Sequence, residues 1–213
     1  MTRPSARRIM PPPAATVAIR CRRDSLPCSS PPRSSLRGRR VLVVLVRFDG
    51  LRFNRDELVA SPDRLPASPT RAVYAARDGT LWVGYGRGHG VYRLRGERIL
   101  SVHLRDGIGG LVNVIREDRT GTVWVGHDAG LSAFTDGRWT SLTPAGLSAA
   151  PRVFDVLEDA DGALWVATDA GLFRRRPGGP LEGVSRLHET VFALSRDAHG
   201  RLWICLLYTS PSP

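Results

Sequence analysis

Carboxylates are the first candidates for chemistry in this chain. Asp118, Asp159, Asp161 and Asp197 could act as calcium ligands or as paired acid/base groups. They fall, however, in repeated turns: Glu117-Asp118-Arg119-Thr120-Gly121, Glu158-Asp159-Ala160-Asp161-Gly162 and Arg196-Asp197-Ala198-His199-Gly200. Repetition of that kind predicts turn capping, with a carboxylate bonding backbone N–H groups ahead of a glycine at positive φ. A metal site needs several oxygens converging on one point. His89, His103, His127, His188 and His199 show no HExxH or other ligand spacing and read as surface or loop residues. No serine sits in a Gly-x-Ser-x-Gly elbow, and lysine is absent, which removes a phosphate-binding Gly-x-x-x-x-Gly-Lys loop. The Gly-rich stretch from Gly84 to Gly90 lies between two strands, without the helix N-terminus that would bind phosphate. Cys21, Cys28 and Cys205 lack zinc or CxxC spacing. No catalytic residue, metal or cofactor is expected.

The elements that hold these residues repeat. Gly79-Thr80-Leu81-Trp82, Gly121-Thr122-Val123-Trp124, Gly162-Ala163-Leu164-Trp165 and Gly200-Arg201-Leu202-Trp203 recur with periods of 42, 41 and 38 residues. An apolar strand precedes each turn, as in Val112-Asn113-Val114-Ile115, Val153-Phe154-Asp155-Val156-Leu157 and Val191-Phe192-Ala193-Leu194. The first unit keeps Asp78-Gly79 but has Ala76 where the others have the earlier Asp. The tryptophan strand carries Trp on one face and aliphatic residues on the other, so both faces need cover. A small residue follows, where another backbone or ring could approach closely. Third strands open at Gly90, Gly130 and Gly171, and a fourth, such as Trp139-Thr140-Ser141-Leu142, completes the unit. Four short strands in about 40 residues, with no helical pattern, predict an all-β fold of four-stranded antiparallel propeller blades. Trp82, Trp124, Trp165 and Trp203, with Gly79, Gly121, Gly162 and Gly200, are expected to build the scaffold rather than to stack on sugars.

Charge separates the ends from this array. The formal net charge is +11, yet residues 1–47 hold 11 Arg against Asp24 alone, while residues 48–213 hold 20 Arg and 19 acidic residues. A nearly neutral repeat region argues against a nucleic-acid partner. Residues 1–45, rich in Arg, Pro and Ser, have no sustained period and are expected to be disordered, as the product of a frameshift or gene-start error. Residues 46–68 begin with an Asp49-Gly50 hairpin signal and read as a partial blade. Residues 69–204 hold the propeller repeats. Residues 205–213 break the pattern after Trp203-Ile204, and their back-translation resembles a transposon-end sequencing adaptor, so they are expected to be an artefact. The expected object is a propeller fragment, an open arc of three to four blades.

The pattern Glu-Asp-x-x-Gly-x-Val/Leu-Trp-Val-Gly/Ala-x-x-x-Gly-Leu, carried by three consecutive units within residues 46–204, resembles the two-component regulator propeller repeat. That resemblance implies the periplasmic sensor region of a hybrid histidine kinase or diguanylate cyclase, in a membrane-anchored parent. It implies a small-molecule or oligosaccharide ligand, of carbohydrate or nutrient type, that shifts the propeller relative to a homodimer partner or a following domain. No export signal is legible in this chain. Specificity is expected where the repeats differ: Tyr85, Arg87 and His89, then His127 and Asp128, then Thr168 and Asp169, with the loops ending at Gly110, Ala150 and His188. Trp139, outside the tryptophan register, is a further candidate ligand contact. The competing readings are a propeller enzyme resembling streptogramin lyase, which would need a convergent His/Glu or metal set, and a protein-interaction scaffold.

Overall fold

The computed structural model describes residues 46–48, 53–55, 65–66, 68–86, 88–96, 98–103, 108–184 and 189–207. The chain divides into Met1–Arg40 and Val41–Pro213. The first unit lies outside the described residues, and with it most of the segment expected to be disordered. Residues 208–213 of the adaptor-like stretch and the Asp49-Gly50 turn also lie outside them.

Every regular element described is a strand. β1 (Val46–Phe48) and β2 (Phe53–Arg55) form a hairpin with Phe48 opposite Phe53. Three four-stranded meanders follow, made by β3 (Thr70–Ala75), β4 (Leu81–Tyr85), β5 (Val91–Arg95) and β6 (Arg98–His103); by β7 (Val112–Glu117), β8 (Val123–His127), β9 (Gly130–Thr135) and β10 (Arg138–Leu142); and by β11 (Val153–Glu158), β12 (Leu164–Thr168), β13 (Gly171–Arg175) and β14 (Leu181–Gly183). A last antiparallel pair joins β15 (Val191–Arg196) to β16 (Leu202–Leu206). We call these sheets blades A, B, C and D. β16 continues beyond Ile204: Cys205 pairs with Ala193 and Leu206 with Val191, as Gly126 and His127 pair with Val114 and Val112.

The blades converge on their first strands, since β3 lies against β7, β7 against β11 and β11 against β15. The tryptophan strand then explains how neighbours stack. Trp82 packs on Phe134, Val112 and Ile115 of blade B, and Trp124 on Val153, Val156 and Phe173 of blade C. The aliphatic face of β4 buries Val83 with Tyr85, Tyr92 and Leu94 on the opposite side. Both faces are therefore covered, as the alternation requires. Each fully buried aliphatic or aromatic side chain contributes about 1.5–3 kcal/mol.

The small residue after each tryptophan strand receives a side chain rather than the expected backbone or ring. A Cβ added to Gly126 would lie 2.5 Å from Val153 Cγ1, and one on Gly84 would lie 2.4 Å from Val112 Cγ1. Val112 and Val153, which open β7 and β11, thus fill the notch left in the preceding blade. Blade D departs from the scaffold expectation for its tryptophan. Trp203 is 60% exposed against 1% for Trp82, because no further blade covers that face among the described residues. The array is an open run of blades.

Candidate functional site

The two ends of each blade differ in what their side chains do. At one end, the turns between first and second strands use the repeated aspartates as caps. Asp118 Oδ1 accepts the Thr120 and Thr122 N–H groups at 2.9 and 3.0 Å. Its Oδ2 accepts the indole N–H of Trp124 at 2.8 Å, and Asp159 and Asp197 hold Trp165 and Trp203 in the same way, at 3.0 and 3.1 Å. The aspartate and the tryptophan six residues later are therefore one device, which explains their joint recurrence. The Trp165 hydrogen bond, followed by that from the Ala160 N–H, holds the Asp159 carboxyl below its ordinary pKa. Blade A lacks this link, because Ala76 stands at the aspartate position and the buried Trp82 Nε1 has no hydrogen-bond partner. Asp78 caps Thr80 instead, which lowers its pKa, and pairs with Arg93 at 3.0 Å.

Latches between blades sit at this same turn end. The Arg119 N–H donates to Glu158 Oε2 and its Nε lies 2.7 Å from Glu158 Oε1, while its terminal nitrogens reach the carbonyls of Asp159 and Ala160. Arg77 grips Glu117 and the carbonyls of Asp118 and Arg119 likewise. Between blades C and D the charges exchange places, and Arg196 NH1 pairs with Asp159 Oδ1 at 3.2 Å.

The opposite end joins the loops between second and third strands to those that enter each blade. Tyr85, His127 and Thr168 end their strands here and are buried, at 2%, 1% and 0% exposure. His127 Nδ1 accepts the Ala129 N–H at 3.2 Å and its Nε2 meets Ser132 Oγ at 3.0 Å, so burial holds the ring neutral with its pKa lowered. Thr168 Oγ1 accepts the Ala170 N–H at 3.1 Å in the equivalent way. Tyr85 stacks edge-on against Tyr92 at 5.2 Å, and burial pushes its hydroxyl up to about 12. These three of the expected site residues are buried and support the loop end from within.

Asp128 and Asp169 hold the entering loops. Asp128 accepts the Leu111 N–H and the Asn113 side-chain amide, each at 3.2 Å, and pairs with Arg152 Nε at 3.2 Å. Asp169 accepts the Arg152 N–H at 2.9 Å. His89 is half-buried in the longer blade A loop, where its N–H donates to the Gly86 carbonyl. Arg87 and His188 lie outside the described residues. Trp139 lies away from this group: its ring packs edge-on to Trp82 at 6.0 Å and against Phe134 at 5.2 Å, inside the stack between blades A and B. Its place outside the tryptophan register reflects an outer-strand core position.

Four residues not singled out by sequence reasoning complete the loop end. Each inner strand carries a β-bulge at its second residue, which has no partner in register: Arg71, Asn113, Phe154 and Phe192. A bulge re-aims its side chain and is common beside functional sites. Arg71 touches Asn113 and Phe154 touches Phe192, and Asn113 reaches the residue before Phe154. Arg71 NH2 donates to Asn113 Oδ1 at 3.4 Å, Asn113 Nδ2 donates to the Val153 carbonyl at 2.9 Å, and the rings of Phe154 and Phe192 stand 4.7 Å apart. A signal for them exists in the chain: all four lie eleven residues before their tryptophan, after Val or Thr, and they differ in chemistry. Among the described residues no three His, Cys, Asp or Glu side chains converge as a metal would require. Nor is any helix there long and apolar enough to cross a membrane.

Four-stranded meanders converging on their first strands define a β-propeller. Residues 146–170 match the family described as Two component regulator propeller. No curated protein sequence matches the chain. Among solved structures, the extracellular domain of BT4673 from B. thetaiotaomicron, a candidate hybrid two component system, aligns with TM-score 0.58 and 21% identity over 72% of this chain and 21% of that one. The corresponding domain of BT3049 from the same organism aligns with TM-score 0.56 and 16% identity over 63% and 20%. A catalytically inactive virginiamycin B lyase from Staphylococcus aureus aligns with TM-score 0.54 and 16% identity over 66% and 50%. The chain thus spans about a fifth of the length of the two-component domains, and at these identities the likeness is one of fold.

Proposed function

We propose that this chain is the ligand-sensing propeller portion of a bacterial signal-transduction protein and is itself non-catalytic. The observation that carries this reading is the division of labour along the blade. Repeated residues are engaged in scaffold bonds at the turn end, and the residues that differ between repeats gather at the loop end around Arg71, Asn113, Phe154 and Phe192. The match to the two-component regulator propeller model and the fold shared with extracellular domains of that class support a sensor role outside the cytoplasm. The ligand is a small molecule or an oligosaccharide. Its binding would favour one arrangement of the propeller relative to a dimer partner or a following kinase or cyclase domain, through differential affinity for the two states.

A panel of organic acids and oligosaccharides screened by thermal shift, followed by calorimetry, tests the reading. A ligand that binds and is recovered unchanged, with affinity reduced by Phe154→Ala, is the expected result. The likeness to virginiamycin B lyase favours one competitor, a propeller enzyme. His127, His89 and His199 give that enzyme little to work with: both His127 nitrogens are engaged, and His89 and His199 lie at opposite ends of their blades. Conversion of quinupristin by the chain would replace the sensor reading with the enzymatic one.

A further inference from the structure

Resting on the loop end as a binding face, we infer that its ligand is an aromatic carboxylate: a planar apolar ring carrying one carboxylate. The anion site is Arg71. Its exposed guanidinium meets one neutral oxygen, Asn113 Oδ1 at 3.4 Å, and among the described residues no carboxylate lies within ion-pair distance. Arg152, which enters blade C at the same end, differs, since its Nε pairs with Asp128 at 3.2 Å. An uncompensated guanidinium fork suits the two oxygens of a carboxylate.

The ring site is the Phe154–Phe192 pair, whose rings stand 4.7 Å apart at 38°, with Phe192 40% exposed. One side chain and one peptide separate the two sites, because Asn113 bonds Arg71 on one side and the Val153 carbonyl, next to Phe154, on the other. The other polar groups nearby are already engaged. The Asn113 amide donates to Asp128 and Val153, and Asp128 accepts from Leu111 and Asn113 and pairs with Arg152. A sugar ring would find one unpaired charged partner and few groups for its hydroxyls, and unpaired hydroxyls on binding are costly. A flat ring on the phenylalanines requires none.

Calorimetry on the full chain with cinnamate, cinnamamide, glucuronate and xylotriose tests this, with circular dichroism confirming that each variant stays folded. Cinnamate is expected to bind about tenfold more tightly than cinnamamide, as a charge-assisted pair implies. Arg71→Met should remove that preference, Arg71→Lys should keep part of it, and Phe154→Leu should weaken cinnamate while keeping the preference. Equal binding of cinnamate and cinnamamide, a preference untouched by Arg71→Met, or no cinnamate binding would overturn the inference. Xylotriose or glucuronate binding more tightly than cinnamate, and weakened by Phe154→Leu, would overturn the ligand class while leaving the binding face and the sensor reading in place.

Discussion

The turn end and the loop end of the same blades are built from the same strands and treat repetition in opposite ways. At the turn end Asp118, Asp159 and Asp197 share one role, capping a turn and anchoring an indole, and Arg77 and Arg119 share another, locking one blade to the next. At the loop end the equivalent positions hold Arg71, Asn113, Phe154 and Phe192, which share a backbone bulge and little else. A repeat array stabilises itself through nearest-neighbour contacts. Once the turn end has supplied them, the loop end is free to diverge. Recurrence in such a chain marks scaffold, and departure from recurrence at a fixed position marks the place to look for binding.

Substitutions can sharpen or break that contrast. The largest effect should come from Asp118→Ala, which strips two turn N–H groups and the buried Trp124 indole of their acceptor; a loss of about 2–3 kcal/mol in urea unfolding is expected. The reverse change, Ala76→Asp, offers Trp82 Nε1 the acceptor its counterparts have and should stabilise the chain by about 1 kcal/mol in the same experiment. No gain there would show that the aspartate–tryptophan link is not transferable between blades.

Blade A and blade C also show how far sequence reached. The Asp-x-x-Gly-x-x-Trp turn is local chemistry, so strand boundaries, blade count and the capping role of the aspartates were legible. The glycine or alanine after the tryptophan signalled close approach, though the approaching group proved to be a valine of the next blade. Tyr85, His127 and Thr168 stand out in the sequence because their side-chain types vary, and that variation hides that all three are buried and that His127 and Thr168 each accept the N–H two residues on. The four bulge residues were harder to see because a bulge is a property of strand pairing, and a single strand read alone does not reveal which of its residues lacks a partner.

The buried histidine gives a pH test of that role. Burial lowers the His127 pKa from its ordinary 6.5, so its contribution to stability is complete above pH 6.5 and is lost as pH falls toward the lowered folded-state value. His127→Thr borrows the blade C solution and should flatten the fall of stability below pH 6.5. An unchanged pH profile would show that the histidine is protonated or exposed. Carboxylates act at lower pH. Asp159 and Asp78 have lowered pKa values, so their stabilisation is present above 3.8 and fades below it. The smallest effects on stability should be at the loop end, where Arg71→Met or Phe192→Ala is expected to stay within about 0.5 kcal/mol of the parent in urea unfolding while altering binding.

Hydrogen exchange read by mass spectrometry, with and without whichever compound of the mixed panel raises the thermal midpoint, tests the division between the two ends most directly. Ligand-dependent protection is expected at Leu111–Asn113, Val153–Asp155 and Val191–Ala193, with none at the turns of residues 118–122 and 159–163. Protection centred on those turns and absent from the inner-strand bulges would contradict that division.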